Sequence, residues 1–232
     1  GYGLEAYPNM SRMDWAVELF QWFNYYLKDI GDEPEPMVQI QTNDGRWHVE
    51  DTWPPEDMTW NLADIGTDWM VTGDTVNGQG ASVTLVSGEL TELTHISGLP
   101  TLHLEVTTQA CQGGQIFATL YDNDDNLRLG HATMDVRYRD GGYDAKATSP
   151  FSSYTMLMEF NPLDVVVPAG HTLRIELTEN GEDYLPSPCA SNPLGGLTVD
   201  GGVVGLPIID RPKSHDSWFL APPWWEQQPI PE

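Results

Sequence analysis

The chain has 232 residues, 40% of them hydrophobic and including 9 Trp and 9 Tyr, a composition that can fill a core and excludes global disorder. Its 35 Asp+Glu stand against 10 Lys+Arg, and the resulting net charge of −25 argues against nucleic acid and anionic membranes as partners. Self-repulsion on this scale destabilises a compact domain in dilute buffer but keeps it soluble where salt screens the charges, which points to a salt-adapted source.

No apolar run approaches the ~20 residues that span a bilayer, and no charged start leads into an apolar stretch, so membrane insertion is not expected. Residues 13–34 carry the one convincing helix. Ser11 and Asp14 resemble a capping box, and Gly31 supplies a stop with Pro34 beyond it. Ala16, Leu19, Phe20, Phe23, Leu27 and Ile30 form a stripe at helical spacing, widened by Trp15, Trp22 and Tyr26. An arc of about 180° exceeds the ~100° that one core requires, so the helix is expected to have two neighbours.

From Val38 the period becomes two. VQIQT and RWHVED flank Asn43-Asp44-Gly45, a hairpin signal. Residues 54–80 are rich in Gly, Asp and Pro and read as an irregular crossing. Strand-like runs then recur: ASVTLVS, TLHLEVTTQ, GQIFATLYD, RLGHATMDVRYR, YTMLMEFN, DVVVPAG, HTLRIELTE and GGVVGLPII. Without a second helix of any length, they predict an all-β fold, a two-sheet antiparallel sandwich or jelly roll preceded by one amphipathic helix. The tail holds Trp218, Phe219, Trp224 and Trp225 among prolines and reads as an arm packed on the body or as a docking segment.

Cys111 and Cys189 each follow a β-type run. They allow one disulfide or two free thiols; a bridge would indicate an oxidising compartment and favour an extracellular location. The chain lacks G-x-S-x-G, a phosphate-cradling glycine loop, H-E-x-x-H and C-x-x-C, and none of its six histidines adjoins a plausible Ser or Cys nucleophile in sequence. No cofactor is expected. Asp122, Asp124 and Asp125 cluster oxygen ligands as a calcium loop would, yet the glycine and distal glutamate of an EF-hand are missing. A hairpin turn is needed there in any case, so calcium stays the weaker reading and no metal is assigned. Trp47, Trp53, Trp60 and Trp69 raise carbohydrate stacking as an alternative to core or interface roles.

An ordered set of motifs is more specific than any of these. W-F-x-Y-x-L-K (Trp22–Lys28) leads to a V-x-I-Q strand and then to D-G-R-W-H-V-E-D-T-W-P-P (Asp44–Pro55). Arg137-Tyr138-Arg139, V-x-P-A-G-H-x-L-R-I (Val166–Ile175) and G-L-P-I-I (Gly205–Ile209) follow. Over roughly residues 7–210 this order resembles the C-terminal part of X-Pro dipeptidyl-peptidase and cocaine-esterase-like serine hydrolases, the S15 peptidase group. The resemblance implies a galactose-binding-like jelly roll that follows an α/β-hydrolase domain, packs against it and helps wall its cleft. That family's nucleophile and acid lie upstream and its catalytic histidine falls just before the helix, where this chain reads GLEAYPNMS. All three positions of the Ser-Asp-His triad are therefore absent or replaced, no catalytic residue is assigned, and no hydrolase activity is expected of this chain. The expected organisation is a hydrolase-derived helix segment (1–36), the jelly roll (37–212) and the aromatic tail (213–232). Trp15, Trp22, Tyr26, Trp47 and Trp53 are the expected docking residues, toward an α/β-hydrolase domain or subunit, or in self-association. A free-standing carbohydrate-binding or cell-surface module is the alternative.

Overall fold

Alternating apolar and polar residues build most of this molecule, because a pleated strand sends successive side chains to opposite faces. The computed structural model describes residues 14–34, 38–43, 47–111, 113–141, 143–181 and 184–210, without the side chains of 14–18, 39, 41 and 47–49. The Ser11 cap, the side chains of Trp15 and Trp47, and the aromatic tail lie outside the described residues.

Helix α1 spans Asp14–Lys28, and the hairpin of β1 (Val38–Gln41) and β2 (Trp47–Glu50) follows it. Then come β3 (Thr59–Asp64), β4 (Trp69–Thr72), β5 (Thr75–Val76), β6 (Val83–Ser87) and β7 (Thr94–Gly98). Strands β8 (Thr101–Thr108), β9 (Gln115–Asp122) and β10 (Leu127–Asp135) precede a 3-10 turn at Val136–Tyr138. The chain ends its described course with β11 (Ser153–Glu159), β12 (Leu163–Val167), β13 (Leu173–Thr178) and β14 (Leu197–Ile209).

By compactness, residues 57–210 form one unit and residues 1–56 with 211–232 the other. Among the described residues β1 and β2 pair with each other alone, from Val38 opposite Glu50 to Gln41 opposite Trp47. In that first unit α1 stops at Asp29, two residues before the expected Gly31. Asp29 takes φ +53°, its amide bonds Tyr25 O at 3.1 Å, and the Ile30 amide bonds Asn24 O at 3.0 Å. Aspartate is one of the few side chains that enters the left-handed region readily, so it ends the helix as glycine would.

The 57–210 unit is an antiparallel two-sheet sandwich, as the period-two runs predict. One sheet has the order β10-β9-β13-β6-β4. In the other, β7 and β8 lie end to end along one edge of β14, with Thr101 opposite Gly205 and Ile96 opposite Ile208. Strands β11 and β12 run beside β8 and β7, and β3 and β5 line the far edge of β14. The core lies between the sheets. Leu85, Ile116, Leu120, Leu173 and Ile175 from the first meet Ile96, Leu102, Leu104, Met156 and Met158 from the second, all fully buried. Each such side chain contributes about 1.5–3 kcal/mol by leaving water.

The segment read as an irregular crossing instead holds β3, β4 and β5, which is a correction. Strand β3 hides little on either face and owes its conformation to pairing with β14, from Val203 opposite Asp64 to Ile208 opposite Thr59. Backbone bonding to a neighbour, not side-chain alternation, makes it a strand. Gly202 in β14 has no alternative: a Cβ there would sit 2.0 Å from His103 O. Beside it Asp200 is the extra residue of a bulge between Val199 and Gly201.

Candidate functional site

The first candidate surface is α1. The stripe expected to face a core is open to solvent: Phe20 is 64% exposed, Leu27 70% and Ile30 58%. The flanking Trp22 and Tyr26, at 46% and 50%, are open as well. Trp22 stacks on its own helix, with ring centroids 4.9 Å from Tyr26 and 5.3 Å from Phe23. Tyr25 sits close to Glu33, whose charge raises the phenol above its usual range. Trp53, after the hairpin, is half-buried and joined to Pro54 by a cis peptide bond. Among the described side chains, both the apolar stripe and its aromatic flank are therefore exposed.

The second candidate is the acidic turn between β9 and β10. Asp122, Asp124 and His171 each place a ligand-type atom within 4.8 Å of the others, and the gathered third member is His171 rather than the expected Asp125. His171 precedes β13, and the pairing of Asp122 opposite Leu173 carries it to the turn. Its Nδ1 lies 2.9 and 3.0 Å from the two Asp122 oxygens. Asp124 accepts from the Thr172 amide at 2.7 Å and its hydroxyl at 3.0 Å, and Asn123 donates to that hydroxyl at 3.0 Å. The hydrogen bond to Asp122 raises His171 above its ordinary value, with burial opposing and the charges of Asp122, Asp125 and Asp124 adding. The Thr172 amide and hydroxyl hold Asp124 below its usual range. The arrangement stitches the turn to the β12–β13 connection, and its carboxylates already have protein donors.

A serine, a histidine and an aspartate also meet inside the sandwich, unpredicted from sequence. His95 Nε2 contacts Asp164 Oδ1, and the Ser97 hydroxyl donates to Asp164 Oδ2 at 3.4 Å. All three are buried, and serine and histidine both address the carboxylate rather than each other. A nucleophile needs its base on its own hydroxyl and a path for substrate, and this cluster provides neither.

Cys111 and Cys189 are bridged, with Cα atoms 5.9 Å apart, which settles the alternative that the sequence left open. On the outer face of the β8–β14 sheet, Glu105, Thr107, Ser153, Tyr154, Thr155 and Asp200 line a shallow open groove. Its aromatic member is already occupied, because Arg139 lies over the Tyr154 ring at 4.4 Å. Of the tryptophans read as stacking platforms, Trp69 is buried in the core and Trp60 is 46% exposed on edge strand β3.

The fold has relatives among larger hydrolases. The chain spans less than half the length of each solved relative described here and 38% of a Bacillus anthracis protein assigned by name as an Xaa-Pro dipeptidyl-peptidase, to which it is 24% identical over 86% of its own length. An aminopeptidase from a marine sediment Thaumarchaeota archaeon shares the fold with TM-score 0.62 at 14% identity, covering 85% of this chain and 44% of that one. A CocE/NonD family hydrolase of Staphylococcus aureus gives 0.59 at 14% identity, over 85% and 46%. An α-amino acid ester hydrolase gives 0.52 at 16% identity, over 82% and 44%. The family profile of the X-Pro dipeptidyl-peptidase C-terminal non-catalytic domain matches residues 68–194, from β4 through the loop before β14, and the chain belongs to that family.

Proposed function

We propose that this chain is the non-catalytic sandwich module of an X-Pro dipeptidyl-peptidase or esterase-type serine hydrolase, and that it docks through α1 onto an α/β-hydrolase domain. The observation that carries the reading is the exposed apolar stripe and aromatic flank of α1, with Phe20 64% and Leu27 70% exposed. Large apolar side chains gathered on one exposed element mark an interaction surface. Trp15 and Trp47 join Trp22, Tyr26 and Trp53 as proposed docking residues. The chain itself performs no hydrolysis, which agrees with the missing triad motifs and with the geometry of Ser97, His95 and Asp164. Its source is salt-adapted, supported by the net charge of −25.

Sedimentation in high salt tests the docking reading with the chain alone, since an uncovered helix has a second copy as its default partner. Wild type is expected to self-associate, and Phe20→Glu with Leu27→Glu to sediment as a monomer with the thermal transition of the sandwich unchanged. A wild-type monomer whose Trp22 emission already reports an apolar environment refutes the reading. Ala-Pro-p-nitroanilide and p-nitrophenyl acetate serve as substrates for the negative claim, and turnover above the buffer rate overturns it.

A further inference from the structure

The sandwich buries an acid that the docking reading leaves unused. Glu179 directly follows β13, is 1% exposed, and neither of its oxygens closes a hydrogen bond. The Gly78 amide and the Ser187 hydroxyl lie near enough to favour the charged form, but burial outweighs both and holds the carboxyl above its usual range, with Asp135 adding like charge. No lysine or arginine among the described residues forms an ion pair with it. Arg137 is turned onto Asp135 at 2.6 Å, and Glu176 on the same strand faces Arg174 at 3.4 Å. The Asn77–Ala81 and Ser187–Ala190 segments contribute no charged side chain.

Three stretches of chain meet at this carboxyl. Asn77 Oδ1 accepts from the amides of Gln79 and Ala81, and Gln79 Nε2 reaches across to Ala190 O at 3.3 Å. The approach is tight enough that a Cβ at Gly78 would lie 2.1 Å from Ala190 O. Ser187 Oγ accepts from the amide of Cys189, which is bridged to Cys111. An unpaired negative charge at the centre of such a junction carries a desolvation cost that a neutral acid avoids.

We propose that Glu179 is a protonation-dependent latch: as a neutral acid it lets the end of β13, the Asn77–Ala81 turn and the Ser187–Ala190 segment close together, and its ionisation loosens that junction. Its folded-state value lies above the unfolded one of about 4.3. The stability it contributes is therefore fully present below about pH 4.3 and is lost as pH rises through the folded-state value. The loosening is local, at one end of the sandwich.

Glu179→Gln keeps the shape and removes the titration. In thermal melts at constant high salt, the two proteins should agree near pH 4, and the variant should melt several degrees above wild type near pH 8. Parallel curves, or a variant that melts lower at every pH, overturn the proposal. Should the variant not fold, amide exchange in the wild type decides. Protection at Gly78, Cys189 and Ala190 that falls with pH beyond intrinsic base catalysis supports the latch, and constant protection refutes it.

Discussion

Removing the Cys111–Cys189 bridge should strongly destabilise the sandwich. The bridge spans 78 residues, from the segment after β8 to the loop between β13 and β14. Cross-linking a loop of that length removes chain entropy from the unfolded state worth about 4.5 kcal/mol. For a unit of this size each kcal/mol moves the melting temperature by about 2–4 °C, so the expected fall is about 9–18 °C. Cys189 is only 3% exposed, and a Cβ on Gly113 would touch its Sγ at 3.4 Å, so the local packing relies on the bridged geometry too. Calorimetry of oxidised protein, protein reduced by a phosphine, and the Cys111→Ser, Cys189→Ser double variant makes the comparison in high salt. A fall under about 2 °C, with mass spectrometry confirming the bridge in the oxidised sample, refutes the entropic reasoning. Two free thiols in unfolded, unreduced protein would refute the bridge itself.

With a net charge of −25, the melting temperature should climb as potassium chloride rises from about 0.1 to 1 M, which shortens the screening length from about 10 to 3 Å; a flat profile removes the support for salt adaptation. Asp164→Ala strips His95 and Ser97 of a buried partner, and the loss expected for breaking a buried pair is about 3–5 kcal/mol in denaturant unfolding. A loss under about 1 kcal/mol would show that the pair is not the anchor of β7 to β12. His171, raised by Asp122, should titrate above about 6.5 in a proton NMR series and fall toward that value in Asp122→Asn. Its contribution to stability is full below about pH 6.5 and disappears as pH rises through the folded-state value; an unchanged titration in the variant contradicts the clamp.

Where alternation is strict, the strands announce themselves in the sequence. In TLHLEVTT the residues Leu102, Leu104 and Val106 are buried while His103 and Glu105 are exposed, and β11 and β13 behave alike. Strand β3 gives no such signal because both its faces remain largely wet and its order comes from β14. Strand β7 was equally hidden: its THISG places His95 and Ser97 inside, polar residues that look like a loop until Asp164, 69 positions away from His95, satisfies them. The acidic turn could be read as a turn from Asp122 to Asn126. Its partner could not, since His171 arrives through the pairing of β9 with β13, a contact that no local window contains. Glu179 escaped for a similar reason: a Glu beside Asn and Gly reads as solvent-facing loop, and its burial depends on the closing of three distant segments.

The two parts of the chain differ in what they need in order to be stable. The sandwich buries side chains on both inner sheet faces, ties the β8–β9 and β13–β14 connections together with a disulfide and pairs a buried histidine with a buried acid. The 15-residue helix α1 has no comparable support, since Leu19, Phe20, Trp22, Phe23, Tyr26, Leu27 and Ile30 all remain exposed. An isolated helix of about 12–15 residues is marginal in water, and most helical stability comes from a packed apolar face. Its capping at Asp29 and the Lys28–Asn24 contact at 3.0 Å offer at most local support. The exposed apolar residues of α1 are what supports its proposed docking role, whereas the sandwich has a buried core of its own.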